Sequence, residues 1–180
     1  MSGPPVDLSF KNLEQIAAAA YEVPQSSLRP LKINSEKKYL SKSMRLSNNR
    51  IQCLSGLDFV LNHFLAEPSK IGWLDLAFNQ IKEINPILCE LLELRVLYLH
   101  GNSIKSLREV DKLGKLQFLH TITLHGNPVE LVKGYRKHVI SVLPLLKKMD
   151  FSAVTQEERV LAKIWRHCKD RGKNTTESLQ

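Results

Sequence analysis

Four asparagines recur in one frame of apolar residues along this chain. The frame is L-x-L-x-x-N-x-I, with Met, Ile or Val at some of the aliphatic positions, and it spans 44–51, 74–81, 97–104 and 122–129. Intervals of 30, 23 and 25 residues separate the asparagines, which are Asn49, Asn79, Asn102 and Asn127. A period in this range is typical of stacked supersecondary units that contact only their neighbours. The sequence therefore predicts a small solenoid.

The chemistry of the frame explains its composition. The two aliphatic residues before each asparagine lie two positions apart, so they face the same side of a strand. The turn that follows buries backbone donors and acceptors that have no ladder partner, and a side-chain amide satisfies both kinds at once. We therefore predict a column of buried asparagine side chains, in which each polar group left unpaired costs about 1–3 kcal/mol.

This frame resembles the leucine-rich repeat. The resemblance implies an α/β fold, a solenoid with a curved parallel sheet on the concave face, a helical or irregular convex side and a C-terminal cap helix. We divide the chain into an N-terminal arm with a short helix and a loop (1–40), four repeats (41–127), a C-terminal cap with an amphipathic helix (128–170) and a disordered tail (171–180). Residues 6–13 are a worn copy of the frame and are expected to form an edge strand, and 11–21 a short helix. Residues 57–65 are expected to form a true convex helix.

A second motif follows the last asparagine. Gly134-Tyr135-Arg136, then 143–150, then Val154-Thr155 and Glu158-Arg159 occur at fixed spacings. They resemble the C-terminal cap of the leucine-rich-repeat subclass that includes the spliceosomal U2 A-prime protein, phosphatase-regulating repeat proteins and the leucine-rich light chain of axonemal dynein. The resemblance implies cap roles for Tyr135, Arg136, Asp150 and Thr155.

The cap also has predicted local structure. Leu146, Met149 and Phe151 are expected to form one further strand in register. Thr155 and Glu158 have the spacing of a capping box that starts the last helix. Apolar residues at helical spacing predict that this helix is amphipathic and packs over the core; they are Val160, Leu161, Ile164, Trp165 and Cys168.

Strand residues that alternate with the buried pairs face the concave side, the usual binding surface of a solenoid. The candidate partner-binding residues are Arg45, Trp73, Asp75, Tyr98, His100, Thr123 and His125. We predict that Trp73 and Tyr98 anchor a partner helix or loop, because Trp and Tyr are enriched among binding hot spots, and that Arg45 and Asp75 set its polarity. The alternative is that the N-terminal segment or the tail of the chain covers the two aromatic rings.

Motifs for catalysis are missing from the sequence. It contains no G-x-G-x-x-G, P-loop, G-x-S-x-G or H-E-x-x-H, so we expect no enzyme activity and no cofactor. His100 and His125 occupy equivalent positions one repeat apart, but two histidines without a third ligand make a poor zinc site. Each precedes Gly-Asn, which a tight turn explains better, and no metal is expected.

The cellular compartment is also constrained. Three widely spaced cysteines, Cys53, Cys89 and Cys168, favour a reducing compartment over a disulfide framework. No 18-residue apolar run and no secretory signal are present, so we expect a cytoplasmic protein without a membrane span. Repeat proteins of this subclass are often found in motile cilia, so the resemblance further implies an axonemal location.

Charge bears on the choice of partner. Residues 131–180 hold 11 basic and 5 acidic groups, most of the net charge of +8. This excess could meet an acidic surface such as tubulin tails, or could be a solvated helix. The resemblance implies protein partners in a larger assembly, whether axonemal, phosphatase-containing or RNA-processing. After Thr155, the basic residues are interleaved with only one aromatic residue, Trp165, which argues against direct binding of nucleic acid by stacking. No feature indicates homo-oligomerisation.

A closer resemblance covers most of the chain. Residues 73–79, 96–104, 123–128, 133–136 and 150–155 are similar to the matching segments of one small vertebrate member of this family. That resemblance implies an interaction protein and establishes no biochemical activity.

Overall fold

The computed structural model describes residues 3–26 and 28–177, the last nine of them by their backbone alone. Seven strands form one sheet whose spatial order follows the sequence. They are β1 (Val6–Asp7), β2 (Ser43–Arg45), β3 (Trp73–Asp75), β4 (Val96–Tyr98), β5 (Thr121–Thr123), β6 (Lys148–Met149) and β7 (Ser152–Ala153). The first six pair in parallel, and β7 pairs with β6 in the antiparallel direction. One strand per repeat, each beside its sequence neighbours, is the architecture of a solenoid, and the predicted fold class is confirmed.

The sheet register matches the sequence frame position by position. Met44 pairs with Leu74, Leu74 with Leu97, and Leu97 with Ile122. All four of these side chains are fully buried, and the second aliphatic residue of each repeat is buried with them. The apolar core is therefore one continuous column behind the sheet.

Helices lie on the convex side. They are α1 (Leu57–Phe64), α2 (Ile87–Glu90), α3 (Leu107–Asp111), α4 (Tyr135–Val142) and α5 (Gln156–Glu177), with 3-10 turns at Ile16–Tyr21, Pro68–Lys70, Lys112–Lys115 and Pro128–Leu131. The longer interval between the first two asparagines accommodates α1. Its buried residues, Leu57, Val60, Leu61 and Phe64, recur at helical spacing and face the core.

Each asparagine of the frame joins two neighbouring repeats. Asn79 Oδ1 accepts from the Ile51 amide at 3.0 Å, and its Nδ2 donates to the carbonyls of Leu46 and Leu76 at 3.0 and 3.1 Å. Asn102 and Asn127 repeat this arrangement one and two units further on. All four asparagine side chains are buried. The amides therefore pair the backbone groups that the turns remove from the sheet.

The N-terminal arm covers the first repeat. As expected, its worn copy of the frame forms the edge strand β1, and Asn49 Oδ1 accepts from the amides of Lys11 and Leu13 at 2.9 and 3.1 Å. The expected short helix is a 3-10 turn that begins only at Ile16. Its alanines allow close packing, since a Cβ on Gly56 would lie 3.3 Å from that of Ala17. Gln25 donates to the Asp7 carbonyl at 2.8 Å, so this arm pairs part of the β1 edge.

The cap differs from its predicted form at one residue. Leu146 and Met149 are buried as expected, but Phe151 does not continue the strand. Asp150 and Phe151 adopt left-handed backbone conformations with φ of 47° and 62°, and they reverse the chain into β7. The capping box is present, with Glu158 N to Thr155 Oγ1 at 3.1 Å and Thr155 N to Glu158 Oε2 at 3.0 Å.

The last helix packs on the protein through fewer residues than expected. Ala162 is buried against α4, and the Trp165 ring lies edge-on to His138 with centroids 5.6 Å apart. Val160, Leu161 and Ile164 are each about half exposed, so the expected apolar face does not cover the core. The backbone of α5 continues through 171–177, where the sequence analysis places a tail. The rest of that predicted tail, 178–180, lies outside the described residues. Among the described helices, none combines the length and apolarity that a bilayer crossing requires.

Candidate interaction surface

The sheet brings all seven candidate partner-binding residues onto one face. Arg45, Asp75, Tyr98 and Thr123 form one column by direct strand pairing. His100 and His125 form the next column together with Ser47 and Ala77, as backbone hydrogen bonds one residue further along show. The register of a parallel sheet therefore places predicted residues from four repeats side by side.

Six rings on this face form a continuous group, the aromatic cluster, made of Trp73, Phe78, Tyr98, His100, His125 and Phe151. Trp73 meets Tyr98 edge-on at 5.7 Å between centroids, and Tyr98 meets His100 at 5.9 Å. Phe151 lies within 6.0 Å of Tyr98, His100 and His125. Edge-on contacts at these distances are favourable for aromatic pairs.

The structure corrects the expected exposure of three residues. Trp73 is only 9% exposed, Asp75 is buried, and Thr123 has no accessible surface. The Arg45 guanidinium, from β2, lies 5.4 Å from the centre of the Trp73 ring. The Tyr98 ring, from β4 on the other side, packs edge-on against the same indole. The expectation that the Trp73 ring is exposed is therefore wrong. Trp73 instead supports the side chains around it.

Arg45 is engaged within the chain. Its Nη1 lies 3.1 Å from Asp7 Oδ2, and its Nε lies 3.4 Å from Asp75 Oδ2. The two carboxylates fix the guanidinium over Trp73, where a cation–π contact adds to the ion pairs. Arg45 and Asp75 thus form an internal network that joins β1, β2 and β3.

Three exposed phenylalanines were missed by the sequence reasoning. Phe10, Phe78 and Phe151 are 72%, 56% and 64% exposed, and all three have left-handed backbone with φ of 58°, 53° and 62°. In the intervening and following repeats, the turn position of Phe10 and Phe78 is held by Asn48, Gly101 and Gly126, which also have positive φ. Gly and Asn adopt this conformation readily, whereas a bulky residue costs about 1–2 kcal/mol. Phe10 and Phe78 each stand directly before the position that the asparagine occupies in the repeat frame. That placement was the sequence signal for these two residues.

The two histidines are held by different partners. His100 Nδ1 lies 2.7 Å from Thr123 Oγ1, and His125 Nδ1 lies 3.2 Å from Asp150 Oδ1. Burial lowers the pKa of His100, and the neighbouring His125 lowers it further. Within residues 3–26 and 28–168, no three His, Cys, Asp or Glu side chains converge as metal ligands, and the three cysteines carry free thiols.

The predicted cap residues meet below this face. Asp150 Oδ1 accepts from the amides of Leu124 and His125 at 2.7 and 3.0 Å, and its Oδ2 accepts from the Tyr135 hydroxyl at 2.8 Å. Burial and the Asp150 charge raise the pKa of Tyr135 well above its ordinary value. The protonated phenol therefore remains a donor, and Asp150 closes the last repeat.

Arg136 connects the β6–β7 hairpin to α5. It donates to Ser152 Oγ at 2.8 Å and to the Ala153 carbonyl at 2.9 Å. Its Nε and Nη2 pair with the two oxygens of Glu158 at 2.6 and 3.1 Å, a bidentate geometry. The hydrogen bond from Arg136 is the largest cause that lowers the pKa of Glu158, to about 2.

Comparison with known proteins supports the sequence resemblance. The leucine-rich repeat family model matches residues 41–179. Leucine-rich repeat-containing protein 51 of Rattus norvegicus is 43% identical over 163 residues, which cover 91% of this chain and 85% of that protein. This confirms the resemblance to a small vertebrate member of the family.

Two more distant matches are to U2A' proteins. The U2 small nuclear ribonucleoprotein A' of Saccharomyces cerevisiae is 30% identical over 135 residues, 73% of this chain and 56% of that protein. A chain in the crystal structure of the Drosophila melanogaster SNF/U2A' complex superposes with a TM-score of 0.61 at 24% identity, covering 88% of this chain and 84% of that one. At this level of sequence identity, the structural match shows that the two chains have the same fold.

Proposed function

The chain belongs to the leucine-rich-repeat family, and from that premise we propose that it is a non-enzymatic scaffold subunit whose concave face binds another protein. Members of this family are generally interaction modules. The observation that carries the proposal is the exposure of Phe78 and Phe151 at the rim of the aromatic cluster. Exposed apolar rings grouped on one face mark an interaction site more often than scattered ones do.

The proposed anchors differ from those predicted from the sequence. Phe78 and Phe151 flank His100, with ring centroids 5.0 and 5.7 Å from the imidazole. Tyr98 and His125 are partly exposed beside them. A partner helix or loop that lays an apolar side chain between the two phenylalanines would cover both rings, and the polar edges of the imidazoles would orient it.

Strain at Phe78 supports a binding role. Its left-handed backbone is a conformation in which Asn or Gly would be more stable, yet its ring is directed over Gly101 and towards solvent. Backbone strain of this kind is concentrated at functional positions, where another contact offsets its cost. Contact with a partner is the contribution that we propose for this ring.

A variant pair tests this surface. Phe78→Asn with Phe151→Asn keeps residues suited to positive φ while removing both rings. Phe59→Asn with Phe118→Asn removes two rings of similar exposure outside the aromatic cluster and serves as the matched control. We expect the concave variant to lose the proteins that co-purify with the tagged wild-type chain, and the control variant to retain them. The proposal fails if a folded concave variant retains the same proteins in the same amounts.

For the assembly, we propose a microtubule-based structure, the axoneme of a motile cilium, within a cytoplasmic location. The cap motif at 133–159, which resembles that of the leucine-rich light chain of axonemal dynein, supports this proposal. A tagged copy expressed in ciliated cells is expected to concentrate in the cilium. A diffuse cytosolic signal without ciliary enrichment would contradict it.

The alternative is a regulatory subunit of a nuclear RNA-processing complex or of a phosphatase. Similarity to the yeast U2 small nuclear ribonucleoprotein A' favours the first of these. Quantitative mass spectrometry of the co-purified proteins separates the possibilities, because spliceosomal proteins, a phosphatase catalytic subunit and axonemal proteins are distinct sets. Tubulin or axonemal proteins in the purified material would support the axonemal assignment.

A further inference from the structure

A groove of about 890 Å³ runs along the N-terminal ends of the strands. Four of its residues, Lys42, Arg95, His120 and Lys147, each stand directly before a strand of a different repeat. Lys70 and Lys148 add two more amines. We call these six residues the basic groove. It shares no residue with the aromatic cluster, so it is a separate surface of the protein.

The backbone fixes the spacing of the basic groove. The Gly72 amide donates to the Lys42 carbonyl at 2.9 Å, and the Arg95 amide donates to Gly72 at 2.9 Å. The His120 amide then donates to Arg95 at 2.8 Å, and the Lys147 amide to His120 at 2.7 Å. Parallel strands lie about 4.8 Å apart. The sheet therefore holds basic residues of successive repeats in one row.

Positive charge in this row is poorly compensated. Among the described residues, Glu93 is the one carboxylate that lines the groove. Glu67, outside it, is paired with Lys70 at 2.5 Å and interacts more weakly with the charge of Lys42. In the part of the chain that the structure describes, no carboxylate lies within ion-pair distance of Lys42, Arg95, Lys147 or Lys148.

The charges of the basic groove also act on His120. Burial lowers its pKa first, and the charges of Lys147 and Arg95 lower it further. The imidazole is therefore neutral near pH 7 and offers hydrogen-bonding nitrogens between two cations. A ligand that carries several negative charges would relieve the repulsion along this row.

We propose that the basic groove binds an acidic segment of another polypeptide, in extended conformation, through several Asp or Glu side chains. The rest of the lining suits a peptide, since Val96 offers apolar contact and Ser43 and Thr121 bring polar side chains. Glu93 would repel a uniformly charged phosphodiester backbone, but it can pair with a basic residue inside a mostly acidic sequence.

The lining disfavours nucleic acid for a second reason. Binding of single-stranded RNA or DNA uses aromatic side chains on which bases stack. None of the residues that line the groove in the described structure is Trp, Tyr or Phe. The groove therefore offers positive charge without rings on which bases could stack, which suits an acidic peptide better than single-stranded nucleic acid.

Fluorescence anisotropy tests this proposal with the full chain and a labelled oligoglutamate peptide. Arg95→Glu with Lys147→Glu reverses two charges of the groove. Lys105→Glu with Arg108→Glu makes the same change in net charge at exposed positions near α3, outside the groove. We expect the groove variant to bind at least about tenfold more weakly than wild type, and the control variant to stay within about twofold.

A second variant and a second probe complete the design. Arg95→Gln with Lys147→Gln is expected to give an intermediate loss, and it supplies the test should the charge reversal impair folding as seen by circular dichroism. An oligothymidylate of equal length is expected to bind more weakly than oligoglutamate. The proposal is overturned by equal losses in the groove and control variants, by absence of oligoglutamate binding at low ionic strength, or by tighter binding of the oligothymidylate.

Discussion

The imidazole rings of His100 and His125 are stacked, with centroids 4.8 Å apart and planes 8° from parallel. They come from equivalent positions of adjacent repeats, so the stack follows from the register of β4 and β5. Thr123 holds one ring and Asp150 the other. Two protonated imidazoles at this distance would repel each other, and the stack is therefore best suited to neutral or singly charged rings.

Stability is expected to fall in mild acid because His100 is partly buried and lies beside His125. The pKa of His100 is lowered in the folded chain, by burial and then by His125, although Asp75 and Asp150 oppose the shift. The unfolded chain therefore binds this proton more readily. The contribution of neutral His100 to the free energy of unfolding is fully present above the ordinary pKa of about 6.5. It is lost as the pH falls from there through the folded-state pKa. When the pH is lowered from about 7.5 to about 5.5, urea unfolding should show a smaller loss of the free energy of unfolding for His100→Gln than for wild type. Equal losses would show that His100 does not titrate in this way.

Replacing Asn102 by Ala is expected to lower the free energy of unfolding by about 3 kcal/mol. The change leaves the Ile81 amide and the carbonyls of Leu76 and Leu99 without the side-chain partner that they have in the buried turn. Asn62 is an exposed asparagine of α1, and Asn62→Ala should cost less than about 0.5 kcal/mol. Chemical denaturation measures both, and similar losses would contradict the structural role of the ladder.

Gly101 and Phe78 are expected to be energetically coupled. A Cβ on Gly101 would lie 2.6 Å from Phe78 Cδ1, and Gly101 has a φ of +66°. Gly101→Ala should therefore cost about 2–3 kcal/mol in the wild type, from the clash together with the left-handed conformation. In a Phe78→Asn background only the conformational cost of about 1 kcal/mol should remain. A double-mutant cycle by urea unfolding gives the coupling, and additive effects would show that the ring moves aside freely.

Glu158→Gln should destabilise the cap. The lowered pKa of Glu158, about 2, means that its contribution is present above its ordinary pKa of 4.5 and is lost as pH falls through about 2. The side chain is 31% exposed, so screening reduces the effect near neutral pH to about 1 kcal/mol. Glu157→Gln, in the same first turn of α5, is the matched control and should change little. A Glu158→Gln deficit that persists unchanged at pH 2 would contradict the ion pair with Arg136.

The sequence frame predicts the fold because each of its positions has one structural role. Alternation along a short strand and the hydrogen-bonding capacity of an amide suffice to place Leu74, Leu76 and Asn79. The same alternation indicates which residues face the concave side, but not how far their neighbours cover them. Trp73 faces that side and is nevertheless buried, because Arg45 and Tyr98 occupy the space above and beside it.

Other features depend on details that the frame does not carry. The exposure of Phe151 follows from a chain reversal at Asp150, which the spacing of apolar residues alone does not show. The basic groove could not be predicted from the sequence for a different reason. Charge summed over long segments points to the C-terminal region, whereas Lys42 and Arg95 lie far from it in sequence and join Lys147 only through the register of the sheet.

The reversal of β7 determines how this protein can change in length. Lys148 pairs with Ala153 and Met149 with Ser152, so the strand beyond β6 runs against the direction of all the others. A repeat appended after Met149 would have to displace this hairpin and the Arg136 contacts that hold it. Duplication of a unit between β2 and β5 would leave the pairing at both ends intact, so the architecture accommodates a change in the number of internal units without altering either end.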